Sequence, residues 1–361
     1  MKYGLPYKGS KNKLALRINQ LLPKADHLID LFCGGCAVTH AALTMDKFQH
    51  IHINDVDWRP VQLFTDSLAG KYENENRWIS REDFFRLKDV DPYVAIVWSF
   101  GNDMRTYMYG REIEEIKRSL HYAIYFADYA PAKALGYDLS FLDGIHGFYK
   151  RYITTKKYFQ EFHANHIDEI GDFTPPQNTR GELESLERTK GLRTFQVSEP
   201  RKKWMSTPPP PNLRTSALRK GDETIKVGEH LSDRAFHLQS FEATRRLKKK
   251  RTDRLTYSVL DYQAVPIPEN SVIYCDIPYK GTSEYNLKEK FDHELFYDWC
   301  AKQTQPVFIS SYDMPEDRFT CVARFEHRCN LAAGFASKVE ERIFIPKHQT
   351  YKPPFRNLEI F

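Results

Sequence analysis

Long hydrophobic runs are missing from this sequence. Nowhere does it approach the roughly 18 consecutive apolar residues that a membrane helix requires, and the opening MKYGLPYKGSKNKL lacks the apolar core of a secretory signal. A cytoplasmic location is expected. Cysteine is sparse: Cys33, Cys36, Cys275, Cys300, Cys321 and Cys329 are the only six in 361 residues, and their spacing is not that of a disulfide framework. Cys33 and Cys36 form a C-x-x-C, yet no second pair and no H-x-x-x-H lies at a suitable distance. A tetrahedral zinc site is therefore disfavoured and no metal is expected; the two residues read as small groups packing under a loop. The G-x-G-x-x-G spacing of a dinucleotide fold is also lacking, which lowers an oxidoreductase reading. In Tyr7-Lys8-Gly9-Ser10-Lys11 the Ser-Lys order is the reverse of a phosphate loop and no strand precedes it, so triphosphate hydrolysis is rejected.

What the chain does have is ordinary soluble composition, with 28% charged and 41% hydrophobic residues, and enough length for one to three domains. Its charge is uneven. Between Arg180 and Arg254, nineteen Lys and Arg face ten Asp and Glu, so this stretch exceeds the +5 of the whole chain and leaves the remainder acidic. A local excess of that size favours a polyanionic partner over a merely solvated face.

The N-terminal part reads as strand, turn, helix, strand. His27–Phe32 is a short apolar run, Cys33-Gly34-Gly35 a turn, AVTHAALTM a helix, and His50–Ile53 a second strand ending at Asn54-Asp55. This is the opening of a doubly wound α/β sheet. Ser271–Cys275 and Pro306–Ser310 read as later strands, with FDHELFYDWCAKQ between them as a helix. Roughly 240 residues separate Asp30 from Asp276, where two or three βα units need roughly 80 to 100. A separate lobe is therefore inserted, over about residues 66 to 254. It holds the aromatic stretch 98–110, a helix over 111–130, aromatics interleaved with Lys and Arg over 148–162, the stiff linker TPPPPNLR and the basic helical stretch FEATRRLKKKRTDRL.

Two constellations carry chemistry. Gly34-Gly35 allows close backbone approach to a ligand at the carboxyl edge of the sheet, and Asp55 at the next strand end is placed to accept from ribose hydroxyls, or else to cap a helix. Asp276-Ile277-Pro278-Tyr279 suits a flat ring bearing an exocyclic amine. The lone pair of such an amine is delocalised into the ring; hydrogen bonds to the Asp276 carboxylate and a main-chain carbonyl would free it. Pro278 fixes the turn and Tyr279 offers a stacking face. A plain turn with a satisfied acid and a core tyrosine is the alternative.

On these residues the chain resembles the Dam-type, alpha-group (D12 class) DNA adenine N6-methyltransferases. The likeness spans roughly 3–65 and 255–348. The family's aromatic-x-G-G-K element is matched by Tyr7-Lys8-Gly9-Ser10-Lys11, its F-C-G-G-G by Phe32-Cys33-Gly34-Gly35-Cys36, and its acidic N-D by Asn54-Asp55. Its D-F looks like Asp261-Tyr262, and its Y-C-D-P-P-Y is matched by Tyr274-Cys275-Asp276-Ile277-Pro278-Tyr279. Ser10, Cys36 and Ile277 depart from the pattern without removing a catalytic group.

The resemblance implies a Rossmann-like methyltransferase domain made of residues 1–65 and 255–361. It implies a mainly helical target-recognition insert at 66–254. It further implies S-adenosylmethionine as cofactor, held by Tyr7, Lys11, Asp30, Phe32, Cys33, Gly34, Gly35, Asp55, Asp261 and Tyr262. Double-stranded DNA is the implied partner, with a restriction endonuclease encoded nearby in restriction-associated members; the local excess of Lys and Arg points to Arg245, Arg246, Lys248, Lys249, Lys250 and Arg251 as its phosphate contacts. Asp276, Ile277, Pro278 and Tyr279 are implied as catalytic. Cytosine N4, RNA adenine or a protein glutamine as target, and a non-catalytic DNA-binding role, stay open at this point.

Overall fold

The strand His27–Asp30 (β1) organises the molecule because it pairs on both sides. In a computed structural model, which describes residues 3–72, 75–166, 244, 247, 252–280, 291–329 and 337–351, β1 runs parallel to β2 (His50–Asn54) and to β4 (Ser271–Cys275). Outside these lie β3 (Leu255–Ser258), parallel to β2, and β5 (Val307–Ser311), parallel to β4. The hairpin of β6 (Phe319–Cys329) and β7 (Ser337–Pro346) closes the far side antiparallel, giving the seven-strand order β3-β2-β1-β4-β5-β7-β6. Every residue of β4 and β5 is buried, as expected of central strands covered on both faces. The strands of SVIYC match the expected bounds, whereas β1 stops at Asp30 because Leu31 and Phe32 already belong to the turn.

The helices follow local rules. α1 (Ala15–Leu21) packs against α2 (Ala37–Met45), the expected AVTHAALTM helix. α3 (Trp58–Leu68) starts where the Asp57 carboxylate accepts from the Arg59 amide, and buries Pro60, Val61, Phe64 and Ser67 on one face. α4 (Arg81–Leu87) and α5 (Pro92–Val97) begin at Ser80 and at Asp91-Pro92, an N-cap followed by proline at the first helical position. α6 (Glu114–Phe126), α7 (Ala130–Ala134) and α8 (Phe148–His166) come next. After β4, α9 (His293–Ala301) is capped by Asp292 and turns Phe296, Tyr297 and Cys300 into the core beneath β4 and β5.

The chain divides into two compact units, one of residues 1–110 and 233–361 that holds the whole sheet, the other of residues 111–232. In the second, the described residues form α6, α7, α8 and a 3-10 turn. Residues 66–110 fall with the sheet unit, where α5 packs on α3. The linker TPPPPNLR and all six residues of the basic cluster, Arg245, Arg246, Lys248, Lys249, Lys250 and Arg251, lie outside the described residues.

Strand order runs outward from β1 through β2 to β3 on one side and through β4 to β5 on the other. The carboxyl ends of β1 and β4 thus flank a topological switch point, where open α/β sheets leave a crevice for ligand.

Candidate active site

Directly after β1 the chain makes a turn that only small residues fit. Gly34 has φ of +43°, and a Cβ there would sit 2.7 Å from the Tyr7 ring. A Cβ on Gly35 would lie 2.7 Å from the Leu5 carbonyl oxygen, and the Leu5 amide donates to the Gly35 carbonyl at 2.7 Å. The N-terminal loop is thereby seated on the glycine turn. Cys36 closes the turn in the left-handed region at φ of 55°, a conformation that glycine would adopt without strain. Burial pushes the Cys33 and Cys36 thiols up, so both stay protonated.

Asp55, at the end of β2, holds the turn from the other side. Its two oxygens accept from the Gly34 amide at 2.9 Å and the Asp57 amide at 3.0 Å. The helix-cap alternative for Asp55 falls to Asp57, which caps α3. Asn54, fully buried, joins three strand ends: its amide nitrogen donates to Leu31 and Leu260 carbonyls and its oxygen accepts from Ser258 Oγ and the Leu260 amide. Asp261 caps the short 3-10 turn after β3. Tyr262 then packs edge-on to Phe296 and Trp299 and 5.5 Å from the Phe32 ring.

These pieces bound one cavity of about 740 Å³. Tyr7, Lys11, Asp30, Phe32, Cys33, Gly34, Gly35, Asp55, Asp261 and Tyr262 all line it, and so do Asp276 and Pro278. Two buried polar atoms on its wall, Asp30 Oδ1 and Ser10 Oγ, have no hydrogen-bond partner among the described residues. The other Asp30 oxygen accepts from Thr39 Oγ1 at 2.7 Å. Burial raises the pKa of Asp30 to about 7 and that of Asp55 to about 6. An acid-lined cavity with an unsatisfied carboxylate oxygen suits a ligand that carries positive charge and donates hydrogen bonds.

At the end of β4, Asp276 is the centre of a charged cluster. The Lys11 ammonium lies 2.7 and 2.8 Å from its two oxygens and 3.7 Å from Glu341 Oε1 on β7. The Tyr279 hydroxyl is within hydrogen-bond reach of both acids, at 3.3 Å from Asp276 Oδ1. Burial raises the Asp276 pKa to about 6; Lys11 works against the rise and Glu341 adds to it. Ile277 turns into the apolar core at 1% exposure, so its side chain packs away from the cavity. His293 Nε2 is 2.9 Å from the Pro278 carbonyl oxygen, pinning the motif to α9. Tyr279 meets Tyr312 edge-on at 4.4 Å between ring centres.

Residues 7–172 match the family model of the D12 class N6 adenine-specific DNA methyltransferases. Over this stretch the chain is similar to that family. The matched stretch contains the N-terminal loop, the glycine turn and Asp55, while Asp276 lies beyond it and reaches the same cavity through the β1–β4 pairing. No curated protein matches the chain. The members of that family are methyltransferases that act on adenine N6 in DNA. No described helix of the enzyme is long and apolar enough to cross a membrane.

Sequence reading did not single out Glu341, His293 or Tyr312. Glu341 sits in the charged string KVEER, where a buried acid looks like its half-buried neighbours Glu340 and Arg342; only the period of two from Glu341 through Ile343 to Ile345 marks its inward face.

Proposed function

We propose that the enzyme transfers a methyl group from S-adenosylmethionine to N6 of an adenine turned out of duplex DNA at a defined sequence. One observation carries this reading: the glycine turn, the unsatisfied Asp30 oxygen and the Asp276 carboxylate open on the same cavity. The residues fit the cofactor. Asp30 would accept from its ammonium, Asp55 from its ribose, and Phe32, Asp261 and Tyr262 would enclose its adenine, with Tyr7, Lys11, Cys33, Gly34 and Gly35 shaping the floor. When bound, the cofactor supplies an electrophilic methyl group on a sulfonium.

The protein's part is to orient and activate the amine. Asp276 accepts one N6 hydrogen, the Ile277 carbonyl takes the other, and the nitrogen lone pair is thereby drawn out of conjugation. Pro278 holds that carbonyl in place and Tyr279 supports the ring face. Asp276, rather than a serine or asparagine, favours adenine over the cytosine and glutamine alternatives.

Target recognition is assigned to the region between β2 and β3, expected as one insert over 66–254, of which residues 111–232 form a compact unit apart from the sheet. The basic cluster of Arg245, Arg246, Lys248, Lys249, Lys250 and Arg251 is proposed to bind phosphates, which positions the duplex without specifying sequence. In a cell with a restriction endonuclease of matching specificity, such methylation would protect the host DNA.

Incubation of unmethylated plasmid DNA with labelled S-adenosylmethionine, followed by mapping of the modified base, tests the reading. N6-methyladenine in a fixed sequence context is expected. Label on cytosine, or none on DNA, overturns it.

A further inference from the structure

The Asp276 carboxylate that should receive the adenine amine is occupied in this structure by a cation of the protein itself. Both oxygens lie within 2.8 Å of the Lys11 ammonium. For the amine to reach Asp276, the ammonium has to vacate at least one oxygen. A second buried carboxylate, Glu341, is 3.7 Å from the same nitrogen, so a movement of roughly 1 Å would bring it to hydrogen-bond distance.

Glu341 is costly where it stands. It is 2% exposed, and a buried acid is tolerated only when paired. It also adds negative charge beside Asp276 and so disfavours the ionised form that catalysis needs. Packing alone would be served better by an uncharged side chain. Its carboxylate is oriented by the Tyr279 hydroxyl, which ties it to the motif rather than to the strand surface, where Glu340 and Arg342 pair with each other.

We propose, resting on the amine-methylation reading above, that Glu341 is a positioning residue: it takes over the Lys11 ammonium when the target base arrives, releasing Asp276 to bind the amine. Among the described residues, the groups facing Asp276 are Lys11 from the N-terminal loop, Glu341 from β7, Tyr274 of β4, Tyr279, and the acids Asp30 and Asp55 at the ends of β1 and β2. Only Lys11 among them is cationic, so the handover moves a full charge between the two acids.

The test compares wild type, Glu341→Gln, Lys11→Met and the double variant on unmethylated plasmid DNA, with cofactor affinity measured alongside. Wild-type turnover establishes the amine-methylation reading independently of the outcome at position 341. Glu341→Gln should lower kcat about tenfold or more when Lys11 is present, because the ammonium, which keeps the neutral Gly9 carbonyl at 3.2 Å besides Asp276, loses the second carboxylate that could take its charge, and less than about twofold in the Lys11→Met background. Equal losses in the two backgrounds would mark a merely structural role and overturn the proposal. A pH profile supplies the second arm. Lys11→Met removes the group that holds the Asp276 pKa down, so the acidic limb of kcat/KM should move to higher pH. If Glu341→Gln does not fold, judged by lost cofactor binding, Glu341→Asp, whose shorter side chain draws the carboxylate back from Lys11, takes its place in the same two backgrounds: a loss confined to the Lys11 background supports the proposal, and equal losses overturn it.

Discussion

A carboxylate that draws a ring amine out of conjugation must be ionised, and burial opposes this at Asp276, whose pKa is raised to about 6. Activity is therefore expected to fall as pH drops through 6, since protonation removes the acceptor; a flat kcat/KM between pH 5 and 8 would contradict that assignment. Asp276→Ala should leave cofactor affinity nearly unchanged and lower methyl transfer by about 100-fold or more, the scale for losing a transition-state acceptor. Single-turnover assays with labelled cofactor check it. Tyr279→Ala should be severely impaired, and Tyr279→Phe milder, because the ring face survives while the hydroxyl's link to the two acids is lost. Asp55→Ala is expected to weaken S-adenosylmethionine binding by about 1–3 kcal/mol, read by calorimetry. Unchanged affinity would confine Asp55 to its hydrogen bond with the Gly34 amide.

At the level of elements, the glycine turn is where sequence and geometry agree most closely. Gly34→Ala would put a methyl group 2.7 Å from the Tyr7 ring at a positive φ, so the N-terminal loop has to lift. Cofactor affinity should drop by at least about tenfold with the sheet intact by circular dichroism; retained affinity would mean that the loop is not part of the pocket. Such turns were legible because their chemistry is local: an apolar run, an acid and paired glycines leave a signature within about ten residues. β3, β6 and β7 were not. β3 is only Leu255–Ser258, its residues exposed or half-buried, and it takes its place by pairing with β2 across the insert. In β7, Glu340 and Arg342 interrupt the apolar pattern that Ile343, Phe344 and Ile345 would otherwise announce. The pairing of Glu341 with Lys11 depends on two residues brought together only by the finished sheet, so no spacing could have revealed it.

Taken whole, the molecule combines an acid-lined cavity with a basic stretch elsewhere in the chain, and the two should respond to different variables. Affinity for duplex DNA should fall steeply with salt, and changing Lys248, Lys249 and Lys250 to Gln should flatten that slope while the methylated sequence stays the same. An identical slope would retire the phosphate-contact role of the cluster. Acid acts on the cavity. Asp30 and Asp55 have folded-state pKa values raised to about 7 and about 6, so the folded form binds more protons than the unfolded form from pH 7 down towards 4. Through these two groups the ligand-free protein should gain stability on mild acidification, visible in urea titrations at pH 7.5 and 5.5, while cofactor affinity declines over the same interval. The pairing of His27 with Ser271 in the centre of the sheet also sets a clock for biosynthesis. With the ribosome adding roughly 5–20 residues per second, β1 waits on the order of 12–50 s for its second neighbour to be made. Throughout that interval one edge of β1 stands open to pairing with other chains, and stop codons placed before β4 should yield chains that aggregate rather than accumulate as folded fragments.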